Sequence, residues 1–242
     1  MTVGELEEDL GIPRTIVSQK RVAAKFVPRL LSREQKEFYA AVAQDLIETA
    51  NNDPDFLKKV ITGDESWVYG YDPETKAQSS QWKLPESPRL KKARQIQSNV
   101  MVMLTVFFHH EGVVHHKYAP PGHTITKDYY IEFLRRLRDA VRRKRLWASG
   151  DWHLHQDNAP AHSSALVQTF LVKHRITQVS QPPYSPDLAP CDFWLFSKLK
   201  LPLKWRRFQT ANEIKENVMR QLMAIPKKDF SGCFEKCKGT LG

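Results

Sequence analysis

Three aspartates stand where an acid needs a reason. Asp64 interrupts VITGDESW, an otherwise apolar stretch of strand character, and strand alternation sets it on the same face as Val60 and Thr62. Asp157 closes WHLHQD ahead of Asn158-Ala159-Pro160, at the C-terminal edge of a strand, where open α/β sheets build their sites. Asp192 follows Pro190 in the first turn of a helix that has Phe193, Trp194 and Phe196 to bury. Carboxylates on adjacent strands and a helix suit hard divalent cations, and such cations supply what phosphodiester cleavage requires: charge neutralisation, an activated water and a stabilised leaving oxygen. Each acid, taken singly, also has a structural role open to it: a turn or cap for Asp157, the positive end of a helix for Asp192. Glu65, on the opposite strand face from Asp64, and Asp187, in a turn after Pro186, are assigned to structure. His153, His155 and His162 have the spacing of a conceivable zinc set. No cysteine pair accompanies them, and packing or DNA contact explains the alternation of the first two equally well.

The elements that must carry these residues follow from periodicity. Ser32 and Gln35 form a capping-box pattern, and Phe38, Val42 and Leu46 follow at intervals of four, ending at Asn51-Asn52-Asp53-Pro54. Residues 59–71, 99–108 and 113–118 are rich in β-branched and aromatic residues and read as three strands, the last two a hairpin. Residues 72–98, with Pro73, Pro85 and Pro88, read as a loop excursion. Thr126 caps a long helix with Tyr130, Phe133, Leu134, Leu137 and Val141 on one face. Trp152 to Asp157 reads as a short strand, Ser164 to His174 as a helix, Ile176 to Val179 as a strand, and Pro190 to about Lys200 as a helix. Strands followed by alternating helix and strand make a mixed α/β sheet flanked by helices.

With 242 residues, 41% hydrophobic and 26% charged, the chain suits one large domain with a short appendage and excludes a disordered or fibrous class. Its net charge of +10 suits a polyanionic partner. The longest apolar run, Val100 to Phe108, is far short of the roughly 20 residues a spanning helix needs. An odd set of cysteines, Cys191, Cys233 and Cys237, points to reduced thiols in an intracellular setting. TVGELEEDLGIPRTIVSQK has the outline of a helix-turn-helix, with Arg14, Ser18 and Gln19 able to reach bases and phosphates; two short helices that bind no DNA fit the same pattern. Basic clusters at Lys20, Arg21, Lys25 and Arg29, at Arg89, Lys91, Lys92 and Arg94, and at Arg135 to Arg145 are solvated faces or, beside a nuclease site, phosphate contacts. Trp67, Trp82 and Trp205 can stack on bases but suit a core as well.

TGDESW, HQDNAPAH and PPYSPDLAPCDFWLFSKLK together resemble the catalytic motifs of mariner transposases, and 34 residues separate Asp157 from Asp192, the interval that characterises that family. KFVPRLL is similar to the family's linker, and the resemblance runs from about Arg21 to Phe230. It implies a ribonuclease H-like fold over residues 58–242, with a linker and helix over 21–57 and a short helix-turn-helix remnant over 1–20. It also implies Asp64, Asp157 and Asp192 as catalytic metal ligands, with two Mg²⁺ ions that Mn²⁺ can replace. The partners implied are double-stranded DNA, cut at transposon ends and joined to target DNA at TA, and a second copy of the chain in a homodimer, with no membrane. Nuclear residence follows from that substrate. The family carries two helix-turn-helix units and a tryptophan- and arginine-containing tail, whereas this chain begins inside what resembles the second unit and ends in DFSGCFEKCKGTLG; the expectation is a truncated copy. A non-catalytic DNA-binding or relic protein derived from a transposase is the alternative.

Overall fold

Adjacent residues of the central strands point into different cores, and that alternation organises the fold. The computed structural model describes residues 29–73, 96–144, 146–147, 151–204 and 206–241, with side chains as far as Cys237. Packing separates a unit ending at Leu31 from one running from Ser32 to Gly242, and every described helix and strand belongs to the second. The helix-turn-helix outline, with Arg14, Ser18, Gln19, Lys20, Arg21 and Lys25, lies outside the described residues, as do Arg89, Lys91, Lys92 and Arg94. Arg29 is described and exposed.

Helix α1 (Arg33–Asn52) opens with the expected capping box: Gln35 N–H donates to Ser32 Oγ at 3.2 Å and Ser32 N–H to Gln35 Oε1 at 3.0 Å. Its inward face is Val42, Ala43 and Ala50, with Leu46 packed alongside. Phe38, placed on that face by its spacing, stays 49% exposed, because the stripe drifts away from the sheet at the N-terminal end.

Strands β1 (Val60–Tyr69), β2 (Met101–His109), β3 (Gly112–Tyr118), β4 (His153–His155) and β5 (Thr177–Val179) form one sheet in the order β3-β2-β1-β4-β5. β1 runs antiparallel to β2, with Asp64 opposite Val106, and parallel to β4, with Thr62 opposite His155. This is a mixed sheet with β1 at its centre.

On one face Ile61, Phe107 and Leu154 meet Tyr130, Phe133, Leu134 and Leu137 of α2 (Lys127–Lys144) and Val167, Phe170 and Leu171 of α3 (Ala165–Lys173). On the other, Val60, Val68, Leu104, Val106 and Phe108 meet Leu195, Leu199 and two further helices, α5 (Ala211–Met223) and α6 (Lys227–Leu241). The segment after Pro190 departs from an ordinary α-helix: it is a π-helix over Cys191–Phe196 that runs into α4 (Ser197–Lys200) and a 3₁₀ turn at Leu201–Leu203. π-turns are often found at functional sites, and this one has Asp192 in its first turn. No described helix is long and apolar enough to cross a membrane.

Candidate active site

The strand register brings two of the three aspartates to one level. Thr62 pairs with His155 at the end of the parallel β1–β4 ladder; Asp64 stands two residues further along β1, and Asp157 two residues beyond the end of β4. The third is brought in by packing. Thr62 Oγ1 lies 3.0 Å from His155 Nδ1 and 4.0 Å from Cys191 Sγ, which docks the start of the π-helix, and with it Asp192, against β1 on Asp64's own face. Cys191, Leu195 and Leu199 are fully buried beneath this segment, whereas Asp192 is exposed at the rim.

The three carboxylates lie near enough for their charges to influence one another. Asp64 is pushed up to about 8, first by burial and then by the charges of Glu65, Asp192 and Asp157, against a hydrogen bond from Glu65 N–H at 2.7 Å. Asp192 is raised by the surrounding protein and by Asp157, with Lys200 opposing. Asp157 goes the other way: desolvation would raise it, but His162 and the backbone N–H of Ala159 outweigh that and hold it below the usual carboxylate range. Each pair among the three acids therefore interacts. Such a pocket, with hard oxygen donors and accumulated negative charge, is chemically suited to a divalent cation. Among the described residues no three His, Cys, Asp or Glu side chains are drawn together tightly enough to ligate one ion as they stand. The acids supply a field and a donor set, not a closed cage.

Two cationic groups border the acids. Lys200 Nζ donates to Ser66 Oγ at 2.7 Å, bridging the helical segment to β1 two residues beyond Asp64. Burial pulls Lys200 below the usual lysine range, while Asp72, Asp192 and Asp64 oppose the fall. His162 is the second. It is 2% exposed, with Nδ1 at 2.5 Å from Asp157 Oδ1 and Nε2 at 3.3 Å from Glu65 Oε2. Burial works against its charge, but the two carboxylates raise it to about 9.

From Asp192 an open groove of about 640 Å³ runs past Ser66, Phe193, Trp194, Lys198, Lys200 and Lys204. Lys198 lies over the Trp194 ring at 5.7 Å and pairs with Asp229. A second groove, lined by His115, Arg136, Asp139, Arg142 and Arg143, realises the basic face of α2. Trp67 is half-buried, and Trp82 and Trp205 lie outside the described residues.

The remaining candidates separate. Glu65 does project from the face opposite Asp64, yet it reaches the site through His162. Asp187 accepts a hydrogen bond from Tyr39 Oη at 2.9 Å in the 3₁₀ turn Pro186–Leu188. The three histidines take different partners: His153 packs on Phe56, His155 bonds Thr62 and Gln181, and His162 bonds the two acids. Sequence reasoning missed the roles of His162 and Lys200. The N-A-P turn after Asp157, which folds the chain back within five residues, was the available sign of the first.

A family model described as a transposase, partial DDE domain, matches residues 72–149, a span that contains none of the three aspartates. The human histone-lysine N-methyltransferase SETMAR is 28% identical over 239 residues, 95% of this chain and 34% of that protein. The mariner Mos1 transposase of Drosophila mauritiana is 28% identical over 226 residues, 89% of this chain and 64% of that protein. The chain thus spans about a third and just under two thirds of these relatives. The crystal structure of the Mos1 mariner paired end complex with Mn matches all of this chain and 72% of its own, with a TM-score of 0.83 at 25% identity. The fold is ribonuclease H-like.

Proposed function

We propose that this chain, a relative of the mariner transposases in sequence and fold, acts as a divalent-metal-dependent DNA nuclease and strand-transfer enzyme. One observation carries the reading: Thr62, paired with His155 and in contact with Cys191, gathers Asp64 of β1, Asp157 just beyond β4 and Asp192 of the π-helix around one point of the sheet, each two residues or fewer from a member of that contact. An acid driven to about 8 in a folded chain is held at a cost to stability, as functional sites commonly are.

Asp64, Asp157 and Asp192 are the residues that would hold the metal. Two Mg²⁺ ions, or Mn²⁺ in their place, would neutralise the scissile phosphate, lower the pKa of the attacking water and stabilise the departing oxygen. In the first reaction the oxygen of water bonds to phosphorus, the P–O3′ bond breaks, and the proton lost by water balances the one gained by the 3′ oxygen. In the second, the liberated 3′ hydroxyl attacks a target phosphodiester and displaces the target's own 3′ oxygen. The chain's residues prepare both. Lys200, fixed by Ser66 beside the acids, meets a non-bridging phosphate oxygen, and the groove past Trp194 and Lys204 guides the flanking strand. His155, 3.0 Å from Thr62 Oγ1 through Nδ1 and 2.7 Å from Gln181 through Nε2, ties the end of β4 to β1 on one side and to the segment after β5 on the other.

Residues 58–242 form the catalytic domain in this reading, 21–57 the linker and helix, and 1–20 a partial helix-turn-helix remnant. Arg14, Ser18, Gln19, Lys20, Arg21, Lys25, Arg29, Arg89, Lys91, Lys92 and Arg94 belong to the DNA-binding surface. The substrate is double-stranded DNA at transposon ends and TA targets, the working form a homodimer, and the site of action the nucleus. The Mn-containing paired end complex of Mos1 supports the metal and the DNA. Nicking of supercoiled plasmid in Mg²⁺ is the test: Asp157→Ala is expected to abolish it, and cleavage indifferent to that substitution overturns the site. Salt-sensitive binding with no cleavage by the unmodified chain would favour a non-catalytic DNA-binding protein.

A further inference from the structure

His162 is a buried ionisable group beside the site, 2% exposed, and its two nitrogens face two acids, Asp157 and Glu65. Glu65 points away from Asp64, toward α2, and among the described residues its second oxygen, Oε1, is buried without a hydrogen-bond partner. The imidazole bridges Glu65 and Asp157. The ring is fixed on a third side by Tyr130, whose centroid lies 4.0 Å away, while Tyr130 Oη donates to Gln156, the residue before Asp157. The loop that carries His162 is itself tied down. His162 N–H and Ser163 N–H donate to Ala159 O at 2.9 and 3.0 Å, and Ala159 N–H donates to Asp157 Oδ1 at 3.1 Å.

Asp157 Oδ1 therefore accepts both from His162 and from Ala159, and among the described residues both hydrogen bonds to this carboxylate fall on that one oxygen. Two donors on one oxygen fix the torsion of a carboxylate whose side chain is otherwise 48% exposed. Without them an exposed aspartate at a strand end would sample several rotamers, and a ligand that must be ordered on binding holds its ion less tightly. The arrangement has the form of a bracket: Glu65 behind, His162 between, Asp157 in front.

We propose that His162, braced by Glu65 and Tyr130, is a positioning residue that fixes the Asp157 carboxylate in the orientation in which it receives a divalent cation. The inference rests on the nuclease reading. It assigns to Glu65 a part in the site even though that side chain faces the wrong side of the sheet to touch the metal or the DNA.

The test is calorimetric titration of the whole chain with Mn²⁺ alone, without DNA, alongside thermal melting of each variant. His162→Ala is expected to lower Mn²⁺ affinity 10–100-fold, the usual consequence of removing a group that orients a metal ligand. Asparagine places its amide near the position of Nδ1, so His162→Asn is expected to retain most of the affinity, whereas His162→Gln, reaching toward Glu65 instead, is not. Should His162→Ala fail to fold, the asparagine and glutamine variants decide the matter: equal Mn²⁺ affinities for the two overturn the proposal, as does unaltered affinity in a folded His162→Ala. Glu65→Gln is expected to weaken binding several-fold. Asp64→Asn separates the two levels of the account, since Mn²⁺ binding indifferent to Asp64 and to His162 alike would sink the nuclease reading, while binding lost in Asp64→Asn and untouched in His162→Ala would sink only the bracket.

Discussion

Replacing Asp64 by asparagine keeps the shape of the most crowded point in the site and removes its charge. In the folded, metal-free protein Asp64 keeps its proton up to about pH 8, whereas in the unfolded chain it ionises near 3.8. Below about pH 4 the group is neutral in both states and imposes no penalty. Between there and pH 8 the folded state binds more protons than the unfolded one, so stability falls as pH rises, and the loss is complete above about pH 8. At ~1.36 kcal/mol per pH unit, this interval sets a ceiling of roughly 6 kcal/mol. Glu65, Asp157 and Asp192 share the titration, and their adjustment leaves an expected effect of about 2 kcal/mol. For a domain of this size that is a rise in melting temperature of roughly 4–8 °C for Asp64→Asn over the parent. The assay is thermal melting in EDTA at pH 5 and pH 9, repeated with Mn²⁺. The gap is expected to widen from the lower pH to the higher, and Mn²⁺ at a hundred times its dissociation constant should then stabilise the parent by about 2.7 kcal/mol and the variant little. A gap that does not change with pH, or Mn²⁺ stabilising both proteins equally, would refute the reasoning.

Lys200→Gln should weaken DNA binding and reduce the dependence of log affinity on log salt by about 0.9, the contribution of one phosphate contact; an unchanged slope in a fluorescence titration would remove Lys200 from the substrate groove. Neutralising Arg136, Arg142 and Arg143 together should lower that slope further while leaving Mn²⁺ affinity untouched, because their groove is lined by none of the three acids. Gly63→Ala is expected to destabilise the fold by about 3 kcal/mol, the upper end of ordinary overpacking. An added Cβ would sit 2.0 Å from a ring carbon of the fully buried Phe107. Combining it with Phe107→Leu should recover part of the loss in a urea titration, and additive losses would show that the clash is not the cause.

Much of the architecture was legible because it is written in local periodicity. The alternation around Asp64, the capping box at Ser32 and the apolar stripe Tyr130, Phe133, Leu134, Leu137 and Val141 each report a face without knowledge of what lies opposite, and each found its partner. Phe38 obeyed the same period and stayed in solvent, since periodicity marks a face and not how far the neighbouring core extends along it. The π-helix after Pro190 was not legible: nothing in the local sequence Cys191 to Phe196 separates a π-helix from an α-helix. Helices α5 and α6, which complete the core over Phe108, were not assigned from the sequence, although Ile214, Val218 and Leu222 of α5 recur at intervals of four behind a Thr210 cap. At the site, residue type and position left each aspartate a structural role as well, and it was the resemblance of TGDESW, HQDNAPAH and PPYSPDLAPCDFWLFSKLK to the mariner motifs that singled out the three. The bracket of His162 and the bridge from Lys200 to Ser66 join groups 97 and 134 residues apart, and only the folded chain brings them together.

The central claim is that Asp64, Asp157 and Asp192 jointly hold divalent cations. Anomalous scattering from a crystal of the chain grown with Mn²⁺ tests it without passing through activity. The account predicts manganese bonded to oxygens of all three carboxylates at distances of about 2.0–2.3 Å; manganese found elsewhere, or bound while the three side chains point apart, would contradict it.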